Sequence, residues 1–233
     1  MHRIVYNNEL NELKKILLIA SRVNFFNYMY YLPESIEEHN TQLSLLNYGN
    51  KYKMFKYYLI EKKDKIELRD VCFFKRHLEI ALSHLHKKNI FFYLHFNELC
   101  YHKDTSMPLM QNFSRACLLN DVCDKDFQLN IIKKFAKPIQ DKCVPFSLFF
   151  FHFICFSLHK EDSVALKEVS IYQLYDSNVE LFYGWDQDEL KEVEKIVRKG
   201  ESYEGIFSFY INNKDIWFQW DYVLLERSFR KYM

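Results

Sequence analysis

Three side chains able to bind a metal ion follow one another in a phenylalanine-rich stretch of the sequence. His152, Cys155 and His159 are three and four residues apart, so a helix would place them on one side. The two histidines would then lie about 10 Å apart along the helix axis, which is too far for them to share one zinc ion. The sequence contains no CxxC or HExxH pattern. We therefore predict single buried residues here, with neither a metal site nor a cofactor.

Glu61 and Lys63 form an E-x-K tripeptide of the kind that metal-dependent nucleases carry at the end of a strand. Such a site needs a second carboxylate close by to hold the ion. No acidic residue occurs between positions 41 and 60, and Asp64 and Asp70 follow the tripeptide instead. The simpler interpretation is a solvated turn, and a nuclease-like enzyme using Glu61, Lys63 and Asp70 is kept as an alternative.

Nucleophilic and phosphate-binding chemistry has little support in the sequence. It contains no GxSxG pattern, and its four glycines are too scattered to form a GxGxxG or GxxxxGK[ST] loop. A Cys–His pair formed in space by Cys100 or Cys117 with one of the nine histidines stays open. The motifs therefore do not favour an enzyme over a binding protein.

The C-terminal segment offers a binding surface instead. Residues 205–211 and 216–224 flank a polar turn and predict a β-hairpin. Alternation sends Ile216, Phe218, Trp220, Tyr222 and Leu224 to the core and leaves a mixed aromatic and polar face opposite. Tryptophan and tyrosine are enriched at binding hot spots. The predicted binding residues are the members of that face and of the strand beside it: Ser208, Tyr210, Trp217, Gln219 and Asp221.

The stretch 143–159 reads CVPFSLFFFHFICFSLH. Its secondary structure and burial must be assigned before any binding site can be located. Pro145 suits the first turn of a helix, and bulky residues on every side indicate burial all round. The apolar run is shorter than the roughly 20 residues that a bilayer span requires. We predict a buried central helix and no membrane span.

The remaining patterns alternate between helical and extended segments. Together they predict an α+β fold in which antiparallel β-hairpins pack with helices around the phenylalanine-rich helix. The predicted elements are a helix from Asn8 to Ala20, a short helix opening at Ser35, a hairpin of 54–61 and 65–73, a helix over 75–88, a strand over 90–102, helices near 109–120 and 126–137, strands over 164–175 and 178–183, a helix over 186–199, and the terminal hairpin.

A chain of 233 residues is long enough for one large domain. We predict a single globular domain over 1–233. The segment HKEDS (159–163) is the one candidate boundary, and it would separate a mainly helical or mixed half, 1–160, from a ββαββ half, 163–233.

The balance of charge bears on the partner. The net charge is +1, which does not favour binding of nucleic acid through a broad positively charged surface. Basic and aromatic residues interleave in KYKMFKYYLIEKKDK (51–65), as in some single-strand binders, but lysines on a strand also discourage edge pairing. Another protein is the favoured partner and nucleic acid the less favoured one.

These observations predict a soluble, aromatic-rich, cytoplasmic protein that works by binding another macromolecule. An inhibitor, immunity or accessory factor of a microbe or virus fits the pattern. The sequence has six cysteines and shows no pattern typical of an exported protein, so we predict free thiols in a reducing compartment. Two alternatives remain: an enzyme whose site is assembled from distant residues, and a sensor whose aromatic pocket receives a small apolar ligand.

Overall fold

The computed structural model has an α+β fold with small antiparallel sheets and a buried aromatic core, as predicted. It describes residues 12–13, 15–16, 18–19, 37–39, 42–44, 52–62, 65–94, 99–110, 113–119, 124–136, 144–160, 187–199 and 202–230. The chain divides into two compact units. Unit 1 comprises Met1–Leu119 and Leu224–Met233, and unit 2 comprises Asn120–Val223.

The strands described in unit 1 form three small antiparallel sheets. In the three-stranded sheet β5 lies between β3 and β6, and Leu99 of β5 pairs with Met110 of β6. Pro108 begins β6, where a residue without an N–H is tolerated. The other two sheets are the pairs β1–β2 and β4–β7. The strands are β1 (Glu37–His39), β2 (Gln42–Ser44), β3 (Tyr52–Met54), β4 (Ile90–Phe91), β5 (Leu99–His102), β6 (Pro108–Met110) and β7 (Cys117–Leu118).

Two helices of unit 1 replace the hairpin predicted for 54–61 and 65–73, which is wrong. They are α1 (Phe55–Glu61) and α2 (Leu68–His86). Phe55 and Leu59 are buried one turn apart, and the predicted stripe of α2 extends back to Val71 and Phe74. Helical burial at spacings of three and four therefore overrides the strand propensity of these aromatic segments.

Phe74 joins these two helices. Its ring meets that of Phe55 edge-on at 5.4 Å, and Phe55 also contacts Phe229 near the C-terminus of the chain, at 6.2 Å. Lys75 of α2 forms an ion pair with Glu226. At the start of α2, the backbone N–H of Glu67 donates to Oδ2 of Asp70 over 3.0 Å, which satisfies one of the amides that a helix start leaves without a partner.

The strand predicted for 90–102 is broken into β4 and β5. Tyr93, between them, has φ of 62°, a left-handed conformation that ends an extended strand. Its ring makes a cation–π contact with Arg115, whose guanidinium carbon lies 5.4 Å from the ring centroid. The helix predicted near 109–120 is also wrong, because that segment contains β6, a 3₁₀ turn (Phe113–Arg115) and β7.

Unit 2 is built around the phenylalanine-rich helix α4 (Phe146–His159), whose predicted burial is confirmed. Pro145, predicted in the first turn, is the N-cap residue just before it, and the Phe146 N–H donates to Oε1 of Glu189 over 3.3 Å. The helices predicted near 126–137 and over 186–199 are confirmed as α3 (Lys125–Phe135) and α5 (Gln187–Lys199). Both pack against α4.

The terminal hairpin is wrong, because both of its segments are helical. They form α6 (Tyr203–Asn212) and α7 (Lys214–Phe229), joined at Asn213, and α7 begins in unit 2 and ends in unit 1. Ser202 caps α6, since its hydroxyl accepts a hydrogen bond from the N–H of Gly205 over 3.0 Å. In α7 the buried residues fall at helical rather than alternating spacing: Trp217, Trp220, Asp221, Leu224, Leu225 and Phe229.

Several predictions are only partly covered by the described residues. The first helix agrees where it is described, around buried Leu13 and Ile16, while the short helix expected at Ser35 is replaced by strand β1 from Glu37. The strands predicted for 164–175 and 178–183 lie outside the described residues. The predicted boundary at HKEDS stays a prediction, and α4, which precedes it, packs with α5 and α6, which follow it, inside unit 2.

Candidate binding surface

The five residues predicted to bind a partner divide into two groups in the structure. Ser208 and Gln219 are exposed on α6 and α7, whereas Tyr210, Trp217 and Asp221 are buried. The sheet face that was to unite them does not form, because both segments are helices. A binding role for the set stays a prediction, and Ser208 and Gln219 are the members whose side chains reach solvent.

Trp217 and Tyr210 belong to an aromatic cluster in the described part of unit 2. Phe151 of α4 lies at its centre, with its ring centroid 5.0 Å from that of Trp217 and 5.2 Å from that of Tyr210. The indole N–H of Trp217 donates to the backbone oxygen of Tyr210 over 2.8 Å, and that of Trp220 donates to Oγ of Ser147 over 2.8 Å. Both indole donors therefore have partners, as buried polar groups require. These side chains hold α6 and α7 against α4.

The hydroxyl group of Tyr210 lies inside this cluster. It is buried, and it has no hydrogen-bond partner among the described residues. Burial, with a smaller contribution from the charge of Glu192, raises the pKa of Tyr210 above its ordinary value of 10.0. The phenol therefore stays protonated at neutral pH and above its ordinary pKa.

The residues considered for metal or nuclease chemistry have structural contacts. The Nδ1 atom of His152 lies 2.8 Å from the backbone oxygen of Phe135, a hydrogen bond inside unit 2. Glu61 forms an exposed ion pair with Lys53 at 3.6 Å, and Asp70 caps α2. Among the residues that the structure describes, no group of three or more His, Cys, Asp and Glu side chains could hold a metal ion. Lys63 lies outside the described residues.

The cysteines considered as nucleophiles are buried thiols. Cys100 lies in β5 and Cys117 in β7, and both side chains are shielded from solvent. Burial raises the pKa of Cys100 from 9.0 to about 12, so very little of the reactive thiolate is present at neutral pH. Cys72, by contrast, is an exposed thiol on α2.

The outer side of α2 carries large apolar side chains in contact with solvent. Phe73 is 59% exposed and Ile80 is 38% exposed, although each has the size of a core residue. Arg69, Phe73, Arg76 and Ile80 follow one another at spacings of four, three and four, so they form a single stripe on the helix. We call this stripe, together with the neighbouring Cys72, the α2 face.

Other exposed apolar side chains lie nearby in the sequence of unit 1. Leu68, the first residue of α2, is 60% exposed, and Ile60 and Tyr57 of α1 are 63% and 48% exposed. A single exposed leucine is ordinary in a folded protein, whereas several large exposed apolar residues on one helix, such as Leu68, Phe73 and Ile80, are typical of a contact surface.

The arginines of the α2 face make ion pairs within their own helix region. Arg69 pairs with Glu67 at 2.9 Å, and Arg76 pairs with Glu79 at 3.1 Å. Exposed pairs of this kind contribute only about 0–1 kcal/mol to stability. Both guanidinium groups can therefore exchange these partners for acidic groups of another molecule at small cost.

The sequence-based interpretation missed the α2 face because it placed 65–73 on a strand. When these residues are arranged on a helix, they form two apolar stripes. The core stripe contains Val71, Phe74 and Leu78, and the second stripe contains Phe73 and Ile80. The feature of the sequence that could have revealed the α2 face is an apolar residue that falls outside the core stripe of the helix.

Comparison of the chain with protein-family models, with curated proteins and with solved structures found no match. None of the described helices combines the length and the apolar character that crossing a bilayer would require.

Proposed function

We propose that this protein acts by stoichiometric binding of another protein rather than by catalysis. The observation that carries the proposal is the exposure of Phe73, Ile60 and Leu68, each close to 60%, on the outside of α1 and α2. Inhibitors, immunity proteins and accessory factors of microbes and viruses work in this way, and we place the protein in that class.

The size of the α2 face suits a protein contact. The face extends about 16 Å along α2, from Arg69 to Ile80, which is enough for the centre of a standard interface patch of about 800 Å² per partner. Fully burying a side chain the size of phenylalanine contributes roughly 1.5–3 kcal/mol to association. Aromatic residues and arginine are also the types enriched at the energetic centre of interfaces.

The cysteines support a reducing compartment, the cytoplasm, as the place of action. Cys72, Cys100, Cys117 and Cys155 are thiols rather than disulfides, and one of them is exposed. An exposed thiol persists where thiol-reducing systems operate and is readily oxidised elsewhere.

The proposal is tested by recovering the full chain, with an affinity tag, from the cells that express it and weighing the intact complex by native mass spectrometry. We expect one protein bound at a fixed ratio. The double variant I60A/F73A should lose that protein, whereas Leu129→Ala, at an exposed leucine of α3, should retain it. The pair S208R/Q219R tests the solvent-facing members of the predicted set in the same assay.

The outcomes separate clearly. Failure to recover any protein at a fixed ratio would show that the protein does not act by stoichiometric binding. Loss of the complex in S208R/Q219R but not in I60A/F73A would move the binding surface to α6 and α7 and leave the proposed function standing.

A further inference from the structure

We infer that the α2 face binds an acidic amphipathic helix of the partner protein, with Phe73 and Ile80 meeting its apolar stripe and Arg69 and Arg76 meeting its carboxylates. This inference rests on the proposed function and names the chemistry of the partner. It follows from the spacing of the α2 face, from its charge, and from the presence of aliphatic as well as aromatic side chains.

The spacing matches that of a second helix. Phe73 and Ile80 are seven residues apart, about 10.5 Å along the axis, which is the two-turn repeat of an amphipathic stripe. Arg69 and Arg76 repeat with the same period, one turn before each apolar residue. A partner helix with apolar residues every three or four positions and acids beside them would meet both sets at once.

The charge of the surrounding segment is strongly biased although the whole chain is nearly neutral. Residues 53–88 contain ten lysines and arginines against five aspartates and glutamates, while the net charge of the chain is +1. Lys87, just after α2, is exposed and lies five helical turns beyond Arg69, on the same line of the helix. Positive charge therefore extends beyond the α2 face as far as Lys87, and electrostatic complementarity favours an acidic partner.

Two other occupants fit less well. A second copy of this chain would place one basic stripe against another, because a two-fold interface repeats the same surface. A nucleic acid would satisfy the arginines and could stack a base on Phe73, but it offers little for the aliphatic side chain of Ile80. The exposed aliphatic residue of the α2 face favours a protein helix.

The test uses the full chain and three synthetic probes of defined chemistry. The first is a fluorescent peptide of about 18 residues, five helical turns, with a leucine stripe flanked by glutamates. The second has the same leucine stripe flanked by lysines, and the third is a single-stranded oligonucleotide of similar charge. Binding is measured by fluorescence anisotropy at low salt and again at about 0.5 M NaCl, where exposed charge pairs are screened.

We expect the acidic peptide alone to bind, and to bind more weakly at high salt. Phe73→Ala and the pair R69E/R76E should each weaken binding about tenfold or more, as loss of a central contact does. Leu129→Ala and Lys191→Glu are the matched controls, since both change exposed residues of unit 2, and they should leave affinity unchanged. Circular dichroism of each variant confirms that it is folded.

Three results would overturn the inference. They are no binding of the acidic peptide, equal binding of the lysine peptide, and tighter binding of the oligonucleotide that the same substitutions abolish. A stoichiometric complex recovered from cells that survives R69E/R76E would leave the proposed function intact and reject this partner chemistry. If no such complex is recovered from cells but the acidic peptide binds specifically, the partner chemistry of the α2 face stands and the proposed function is rejected.

Discussion

The indole N–H of Trp217 donates a hydrogen bond to the backbone carbonyl oxygen of Tyr210 over 2.8 Å. Both residues are fully buried, and they lie on consecutive helices that a single residue, Asn213, connects. The bond therefore ties the start of α7 to α6 inside the aromatic cluster of unit 2. A substitution of Trp217 tests packing before it tests binding.

Replacement of Trp217 by phenylalanine removes this donor and leaves space in the cluster. We expect the free energy of unfolding to fall by roughly 1–3 kcal/mol, because the ring contacts shrink and the Tyr210 carbonyl oxygen loses the indole donor while it keeps the Asn213 N–H. Urea unfolding followed by circular dichroism measures the change. Gln219→Ala, at an exposed position of the same helix, should stay within about 0.5 kcal/mol of wild type. Equal effects of the two substitutions would contradict the buried position of Trp217.

Replacement of Tyr210 by phenylalanine should not destabilise the protein. The hydroxyl is buried without a hydrogen-bond partner among the described residues, so its removal relieves a desolvation cost of about 1–3 kcal/mol while the ring stays in place. The expected result is a midpoint of thermal unfolding equal to or above that of wild type. A clear decrease would show that the hydroxyl is satisfied in solution.

Alkaline pH should unfold the protein through its buried thiol and phenol. Below pH 9 Cys100 is neutral in both the folded and the unfolded state and adds no pH dependence. Between pH 9 and about 12 the unfolded chain loses this proton while the folded protein keeps it. The free energy of unfolding then falls by up to about 1.4 kcal/mol per pH unit for this group, and Tyr210 adds to the fall above pH 10.

The measurement is a series of urea denaturations from pH 8 to pH 11. Cys100→Ala should flatten the slope above pH 9, whereas Cys72→Ala, at an exposed thiol, should leave it as in wild type. An unchanged slope in Cys100→Ala would show that this thiol ionises equally in both states.

The four described cysteines should differ sharply in their reaction with iodoacetamide under native conditions. Cys72 is exposed on α2, while Cys100, Cys117 and Cys155 are buried and react only when the structure opens locally. Peptide mapping by mass spectrometry should show Cys72 modified about tenfold faster or more. Comparable rates at Cys72 and Cys100 would contradict the placement of β5. The labelled thiol would also report directly on occupancy of the α2 face.

Helices with strong local signals were predictable from the sequence. The stretch 146–159 is apolar on every side, so it had to be buried wherever the rest of the chain went, and Pro145 marked its start. The segment 187–199 has acids first, a regular apolar stripe and basic residues last, and these features act within the helix itself.

The C-terminal segment was not predictable in the same way. Residues 216–224 carry apolar side chains at almost every position, so they satisfy an alternating pattern and a helical one equally well. The ambiguity is removed by packing, because Trp217 and Trp220 would lie on opposite faces of a strand and both become buried in unit 2 only when they share one side of a helix. The same competition decided 54–61 and 65–73.

The sequence by itself determined the α+β class, the buried phenylalanine-rich helix and the best-marked helices, because these depend on local periodicity and composition. Tertiary structure alone decided which aromatic residues face solvent: Trp217 and Tyr210 lie inside, and Phe73 lies outside. The physical reason is that exposure depends on which elements pack against a residue, and a residue's own type does not specify its neighbours.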